Sequence, residues 1–340
     1  MQFGMFGSAQ ALRSKPNSDS GSEFHEFVDR NVEAESLGYH STFLVEHHFT
    51  GIGQVSATLN LLTWIGSRTT TLRLGTAVIV LPWHNPVLLA EQIATLDLLS
   101  GGRVDAGIGK GYRLKEFEGF SIPIDEANDR FEECLSVMLK AWTSDSPWSY
   151  KGKYWKYDQV VVEPSSAQKP HPQLWMGAGS HKSIKQVAQL GFNLLLGQFD
   201  SFELIAEEVA LFKAEVESIG QNFDPKSVAV ARSVNIISSD EEYEQAINNP
   251  GWSPVGELRS WLYIRNSRTP EGPAKAGVIY GDTDYINEQI QALQEIGVEY
   301  VLLNCPAGIS TLRQFANDVM PVSKDEDCHH QSLASPKKPL

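Results

Sequence analysis

Short apolar runs alternate with amphipathic helical stretches along most of this chain, and that alternation limits the available folds more than any other feature. The runs are QFGMFG (2–7), STFLV (41–45), LRLGTAVIV (72–80), VDAGIG (104–109), QLWMGA (173–178), FNLLLG (192–197), VAVARSVNIIS (228–238) and EYVLLN (299–304). Helical periodicity fills the gaps, around 22–38, 56–68, 86–99, 126–143, 181–190, 202–219, 284–296 and 309–319. Runs that are apolar on both faces and joined by helices predict a parallel sheet. Eight such units in 340 residues favour a closed α/β fold, the (β/α)8 TIM barrel, with an open doubly wound sheet as the alternative.

Two stretches break the alternation of a single barrel domain spanning 1–322. Residues 145–172 are aromatic and in places period-two, which predicts a small hairpin insertion before the fifth strand. Residues 248–282 are rich in Pro, Gly and aromatic side chains, and a connection this long reads as a lid over a ligand. The polar residues 323–340, with the pair His329-His330, read as a flexible tail.

Charge and cysteine content narrow the partners. With 42 acidic against 28 basic residues, a formal net charge of −14, the chain is poorly suited to nucleic acid or an anionic membrane surface. No basic, apolar leader opens the sequence and no apolar run approaches spanning length, so neither a signal peptide nor a transmembrane helix is expected. Three widely spaced cysteines, Cys134, Cys305 and Cys328, suit a reducing cytoplasm.

In a parallel barrel the active site lies at the carboxyl ends of the strands. The second run ends in FLVEHHFT, which places Glu46, His47 and His48 there. Adjacent histidines on an extended chain point to opposite faces, and no His-x-x-x-His or His/Cys ligand spacing occurs nearby, so no metal site is read. Two readings remain: a catalytic pair, or one packed and one solvated histidine. GIGKGY, with Gly109, Lys110 and Tyr112, lets backbone approach a flat or phosphorylated ligand; Tyr112 stands where a dinucleotide fingerprint needs its third glycine. GAGSHKS leads through Gly179 into a helix whose start carries Ser180 and Ser183, either a phosphate site or a plain N-cap. Arg130 could meet a phosphate or pair with Asp129 or Glu133. GTAVIVLP, which includes Ala77 and Val78, offers an uncharged platform for a ring, or is simply a buried strand.

Taken in order and with their gaps, FLVEHHFTGIG, LRLGTAVIVLPWHNPVLLAEQIATLDLLSGGRVDAGIGKGY and PQLWMGAGSHKSIKQVAQLG resemble the bacterial luciferase-like family of flavin-dependent monooxygenases. The resemblance covers residues 1–245 and 279–322 and is weakest in the 248–278 insertion. It implies a (β/α)8 barrel that takes reduced FMN (FMNH2) from a separate flavin reductase. Oxygen would form a C4a-peroxyflavin that attacks an aldehyde, a ketone or a similar small organic substrate. His47 matches the catalytic histidine of the luciferase α chain and His48 the second functional one, while Glu46 is read as an orienter. Ala77-Val78 falls where the family has a non-proline cis peptide beneath the flavin. Lys110 and Arg130 match phosphate-contacting arginines, and Ser180 and Ser183 match hydroxyls at the phosphate helix. Gly109 replaces a reactive cysteine and Gly179 a cofactor-contacting glutamate, so neither chemistry carries over. The resemblance also implies a homodimer. Two alternatives stay open: an F420-dependent hydride-transfer enzyme of the same superfamily, and a non-catalytic flavin-binding subunit.

Overall fold

In the computed structural model of the chain, the described residues are 1–11, 21–51, 54–237, 239, 241, 277–304 and 308–322. The parallel strands form the (β/α)8 barrel expected from the sequence. By contacts the chain divides into two compact units, one of residues 6–36 and 40–178, the other of residues 1–5, 37–39 and those from Gly179 on.

The first unit is built on β2 (Ser41–Leu44), β3 (Arg73–Thr76), β4 (Ile79–Val80), β5 (Val104–Gly109) and β8 (Gln173–Gly177). Their parallel order is β2-β3-β5-β8, and β4 continues the path of β3 against β5, pairing Ile79 with Ile108 and Val80 with Gly109. Every residue of β2 and β5 is buried, as expected of strands covered on both faces. The one charge within β5, Asp105, is matched by a two-pronged Arg73, whose Nε and Nη2 donate to it at 2.8 and 2.7 Å.

The helices of this unit are α1 (Ser22–Ser36), α2 (Thr58–Arg68), α3 (Pro86–Ser100), α4 (Leu114–Gly119) and α5 (Ala127–Thr143). Local sequence sets the ends of α3. Asn85 caps it by accepting from Val87 and Leu88 N–H at 3.1 Å, Pro86 takes the first turn, and Gly101 closes it at φ 70°. Inside the stretch 145–172, β6 (Trp148–Lys151) and β7 (Lys156–Val160) form an antiparallel hairpin. Its turn is held by α5: the Glu133 carboxylate accepts the main-chain N–H groups of Lys153, Tyr154 and Trp155 at 2.7–3.1 Å.

The second unit contains β1 (Gln2–Gly7, through Met5), β9 (Asn193–Leu196), β10 (Val228–Ile236), β11 (Val278–Gly281) and β12 (Tyr300–Asn304). Here β12 pairs with β1 and β10, and β10 pairs in turn with β9 and β11, all parallel. Its helices are α6 (His181–Gln189), α7 (Phe202–Ser218), α8 (Thr283–Glu295) and α9 (Ile309–Asp318). Arg232 on β10 is fully buried and donates to the carbonyls of Gly197, Gln198, Ala231 and Asp200, pinning the β9–α7 connection.

Three expectations change. The third run is not one strand: β3 and β4 are separated by Ala77 and Val78, whose peptide bond is cis, and a 3-10 turn over Leu81–Trp83 follows. Val278–Gly281, read as the end of an insertion, form β11, because this β-branched and aromatic tetrad pairs along the edge of β10. The short helix α4 carries no long apolar period and was not expected. Residues 248–276 of the expected lid, the tail 323–340 with His329-His330, Cys305 and Cys328 lie outside the described residues. Among the described residues no helix is long and apolar enough to cross a membrane.

Candidate active site

Glu46 lies two residues beyond β2, and its carboxylate is buried. One oxygen, Oε2, accepts the Val80 main-chain N–H at 2.7 Å; the other, Oε1, accepts from His48 Nε2 at 3.0 Å and His84 Nε2 at 2.8 Å. Burial alone would raise its pKa, but these donors outweigh it and hold the carboxyl at about 2. Glu46 is therefore an anion, and both imidazoles present Nε2–H to it. The break between β3 and β4 makes this possible, because it brings Val80 N–H and, past the 3-10 turn, His84 to the end of β2.

His47 points elsewhere, as adjacent residues on an extended chain should. Its Nδ1 lies 3.1 Å from Glu116 Oε1 on α4, and the same oxygen accepts the His48 main-chain N–H at 2.8 Å. Oε1 is thus an acceptor and Nδ1–H the donor, which leaves Nε2 as the ring nitrogen that Glu116 does not engage. Nε2 makes no hydrogen bond among the described residues, and the side chain is 16% exposed. A carboxylate–imidazole pair of this kind fixes ring orientation and tautomer and leaves the far nitrogen to handle a proton.

Aromatic rings close around His48. Phe120 meets it edge-on at 4.7 Å between centroids and Trp83 at 5.4 Å, while Trp83 and Phe120 stack at 5.3 Å. Phe117 is buried beneath Trp83, at 5.5 Å. Phe49 adopts the left-handed region at φ 55°, rare for a bulky side chain, and is 48% exposed. Its ring lies over Gly119, where any Cβ would collide with it.

The start of β4 and the ends of β5 and β8 meet at Val78. A Cβ on Gly109 would lie 2.5 Å from Val78 Cγ2, and one on Gly177 would lie 3.3 Å from Cγ1. Glycine at both places lets the Val78 side chain lie between the strand ends. Gly111, at φ 75°, likewise leaves room for Val80 and Phe117.

The remaining expected residues fall as follows. Lys110, just past β5, is exposed and makes no ion pair among the described residues. Tyr112 is half-exposed, with the Arg113 guanidinium 5.6 Å from its ring centre. Arg130 pairs with neither Asp129 nor Glu133. Its Nε and Nη2 donate to Glu126 at 2.8 Å and it lies 4.2 Å over the Tyr154 ring, because one helical turn back is the nearer reach and Glu133 is held by the hairpin. In the second unit Gly179 precedes α6, and Ser180 caps that helix: its Oγ accepts from Ser183 N–H at 3.2 Å while Ser183 Oγ accepts from Ser180 N–H at 3.1 Å. Both serines therefore serve as a capping box.

Sequence reading placed Glu46, His47 and His48 at a strand end but did not single out Glu116, His84, Trp83, Phe117 or Phe120. The available signal was acid, histidine and aromatic content in LPWHNP and LKEFEGF, directly after the next two strands. Among the described residues no group of three or more His, Cys, Asp or Glu is arranged to hold a metal ion.

The site sits in a chain with clear relatives. Among curated proteins it is 24% identical over 343 residues to the oxygenase component of a flavin-dependent trigonelline monooxygenase from Acinetobacter baylyi, covering 92% of this chain and 94% of that one. It is 26% identical over 318 residues to an F420-dependent glucose-6-phosphate dehydrogenase from Amycolatopsis mediterranei, covering 87% and 93%. Among solved structures, a monooxygenase from Streptomyces bottropensis superposes with a TM-score of 0.79 at 21% identity, over 95% of this chain and all of that one. The model of the luciferase-like monooxygenases matches residues 1–300, and the chain belongs to that family.

Proposed function

We propose that the chain is the oxygenase of a two-component system, taking reduced FMN from a separate reductase and inserting oxygen into a small organic substrate such as an aldehyde or ketone. The observation that carries this reading is His47 held through Nδ1 by the buried Glu116, with Nε2 left to take or give a proton. Its Acinetobacter relative, an oxygenase component, supports the division of labour with a reductase.

The residues present fit a flavin. Val78 lies between Gly109 and Gly177, which carry no side chains, so the strand ends offer an uncharged surface to a flat ring. Lys110 is an exposed cation suited to a phosphate, and Tyr112 stands two residues further along. Arg130 would have to share its guanidinium between Glu126 and a phosphate. Ser180, Ser183 and the main chain after Gly179 form a helix start of the kind that receives phosphate, considered on its own unit. Reduced flavin, when bound, supplies the activation of oxygen. What the chain itself does is orient His47 through Glu116, hold a second imidazole, His48, through Glu46, and wall that side with Phe49, Trp83 and Phe120 against water.

F420-dependent hydride transfer is the second reading, favoured by the Amycolatopsis relative. Titrating the purified chain with FMNH2 and with reduced F420 separates the two: tighter binding of FMNH2, followed by oxygen-dependent product, supports the oxygenase. Tighter binding of F420 with no oxygen uptake selects the dehydrogenase, and no turnover with either leaves a flavin-binding subunit. A homodimer in the cytoplasm completes the proposal; exposed Trp64 on α2 and Leu88 and Leu99 on the adjoining α3 are apolar surface that a second copy could cover. Sedimentation of wild type and Leu99→Lys tests it, with a monomeric wild type counting against the dimer.

A further inference from the structure

Glu46 Oε1 takes two imidazole N–H donors, His48 at 3.0 Å and His84 at 2.8 Å, and the second has no place in the proton handling assigned to His47. We infer that His84 is a positioning residue which, by sharing the Glu46 oxygen, keeps His48 from being locked as an imidazolium. The inference deepens the flavin-oxygenase reading and rests on it for its catalytic meaning.

Two donors on one oxygen each receive part of its charge. Take one away and the buried carboxylate, still held at Oε2 by Val80 N–H, concentrates its attraction on the donor that remains. Both imidazoles reach the same oxygen, so neither has the carboxylate to itself. The other groups around His48 do not replace this control. Phe49 from the β2 end, Trp83 from the 3-10 turn and Phe120 from the end of α4 carry no charge. Glu116 of α4 meets His48 through the main-chain N–H and His47 through Nδ1. His84 follows Trp83 directly and caps the 3-10 turn, so its bond to Glu46 also fixes where the Trp83 ring lies against His48.

Glutamine can donate to Glu46 without titrating, which separates charge sharing from simple space filling. The full chain, labelled with 15N at histidine, is titrated by NMR as wild type, His84→Ala and His84→Gln. The expected result is a rise of about 1 pH unit, a roughly tenfold tighter second proton, in the His48 midpoint of His84→Ala, with most of that rise reversed in His84→Gln. Unfolding temperatures measured alongside show whether each variant is folded. A His48 midpoint that stays put in a folded His84→Ala, or that rises equally in both variants, overturns the inference. If His84→Ala does not fold, His84→Met, which fills the space without donating to Glu46, takes its place and must show the same rise in the His48 midpoint. No flavin or turnover enters the titration, so failure of the oxygenase reading and failure of this inference are read separately.

Discussion

His47 Nδ1 sits 3.1 Å from the carboxylate of Glu116, sixty-nine residues along the chain, and not against its immediate neighbour Glu46. Neighbouring residues on an extended segment face opposite ways, so the acid that serves His47 must come from another element, and α4 supplies it. Under the proposed oxygenase function, removing that acid should therefore affect chemistry more than flavin binding. For Glu116→Ala, product formation from FMNH2, oxygen and an accepted substrate should fall about 10²-fold, and Glu116→Gln should recover part of it by keeping an acceptor for Nδ1–H. Flavin affinity should change less than about twofold. Equal losses for both variants, with flavin binding intact, would mean that charge rather than orientation matters; unchanged turnover would remove Glu116 from the site.

How much of this site the sequence disclosed depends on range. The barrel was readable because eight buried runs each carry their own local signal, and the helix starts at Asn85-Pro86 and Ser180 follow from capping chemistry. EHH was visible as a polar cluster at a strand end. Its wiring was not, since Glu116 and His84 reach it only through tertiary contact and α4 is too short to show a helical period. The cis Ala77-Val78 peptide came from the resemblance alone; nothing in the apolar run LRLGTAVIV marks where it divides into β3 and β4. Arg130 was legible as a charge near a helix start, but the choice of Glu126 over Asp129 and Glu133 depended on where the hairpin turn lands.

Glu46 makes stability depend on acid. Its folded-state pKa is depressed from 4.5 to about 2, so the stabilisation is fully present above about 4.5 and is lost as pH falls through about 2. The shift corresponds to about 3 kcal/mol for this buried group. Glu46→Gln should be less stable than wild type by up to that amount at pH 7, and the gap should narrow as pH falls through this window. Urea melts at pH 7, 4 and 2.5 measure it; a gap independent of pH would show that packing, and not the charge, carries the contribution.

Val78 and Gly109 should behave as one unit. A methyl group on Gly109 would meet Val78 Cγ2 at 2.5 Å, inside any tolerable contact. Gly109→Ala should cost ~1–3 kcal/mol in denaturant unfolding through overpacking. In a Val78→Ala background, where that methyl is gone, the same substitution should cost less than about 0.5 kcal/mol, an interaction a double-mutant cycle reads directly. Additive costs would place the strain on the Gly109 backbone instead.

Glu133 is the point at which α5 grips the β6–β7 turn. Its two oxygens accept three consecutive main-chain N–H groups, Lys153, Tyr154 and Trp155, and Gly152 leaves room for the same carboxylate, which a Cβ there would crowd. Hydrogen bonds to a charged acceptor are the stronger kind, and without Glu133 these three amides have only water or a rearranged turn to turn to. Glu133→Ala should release the turn: the 153–155 amides should exchange at least ~10-fold faster while the fully buried β5 keeps its protection. Asp129, which holds Lys153 at 3.0 Å, and Arg130 over Tyr154 then become the remaining ties, so the hairpin should loosen without detaching. Exchange at 153–155 that matches wild type would show that these side-chain contacts hold the turn and that the carboxylate follows it.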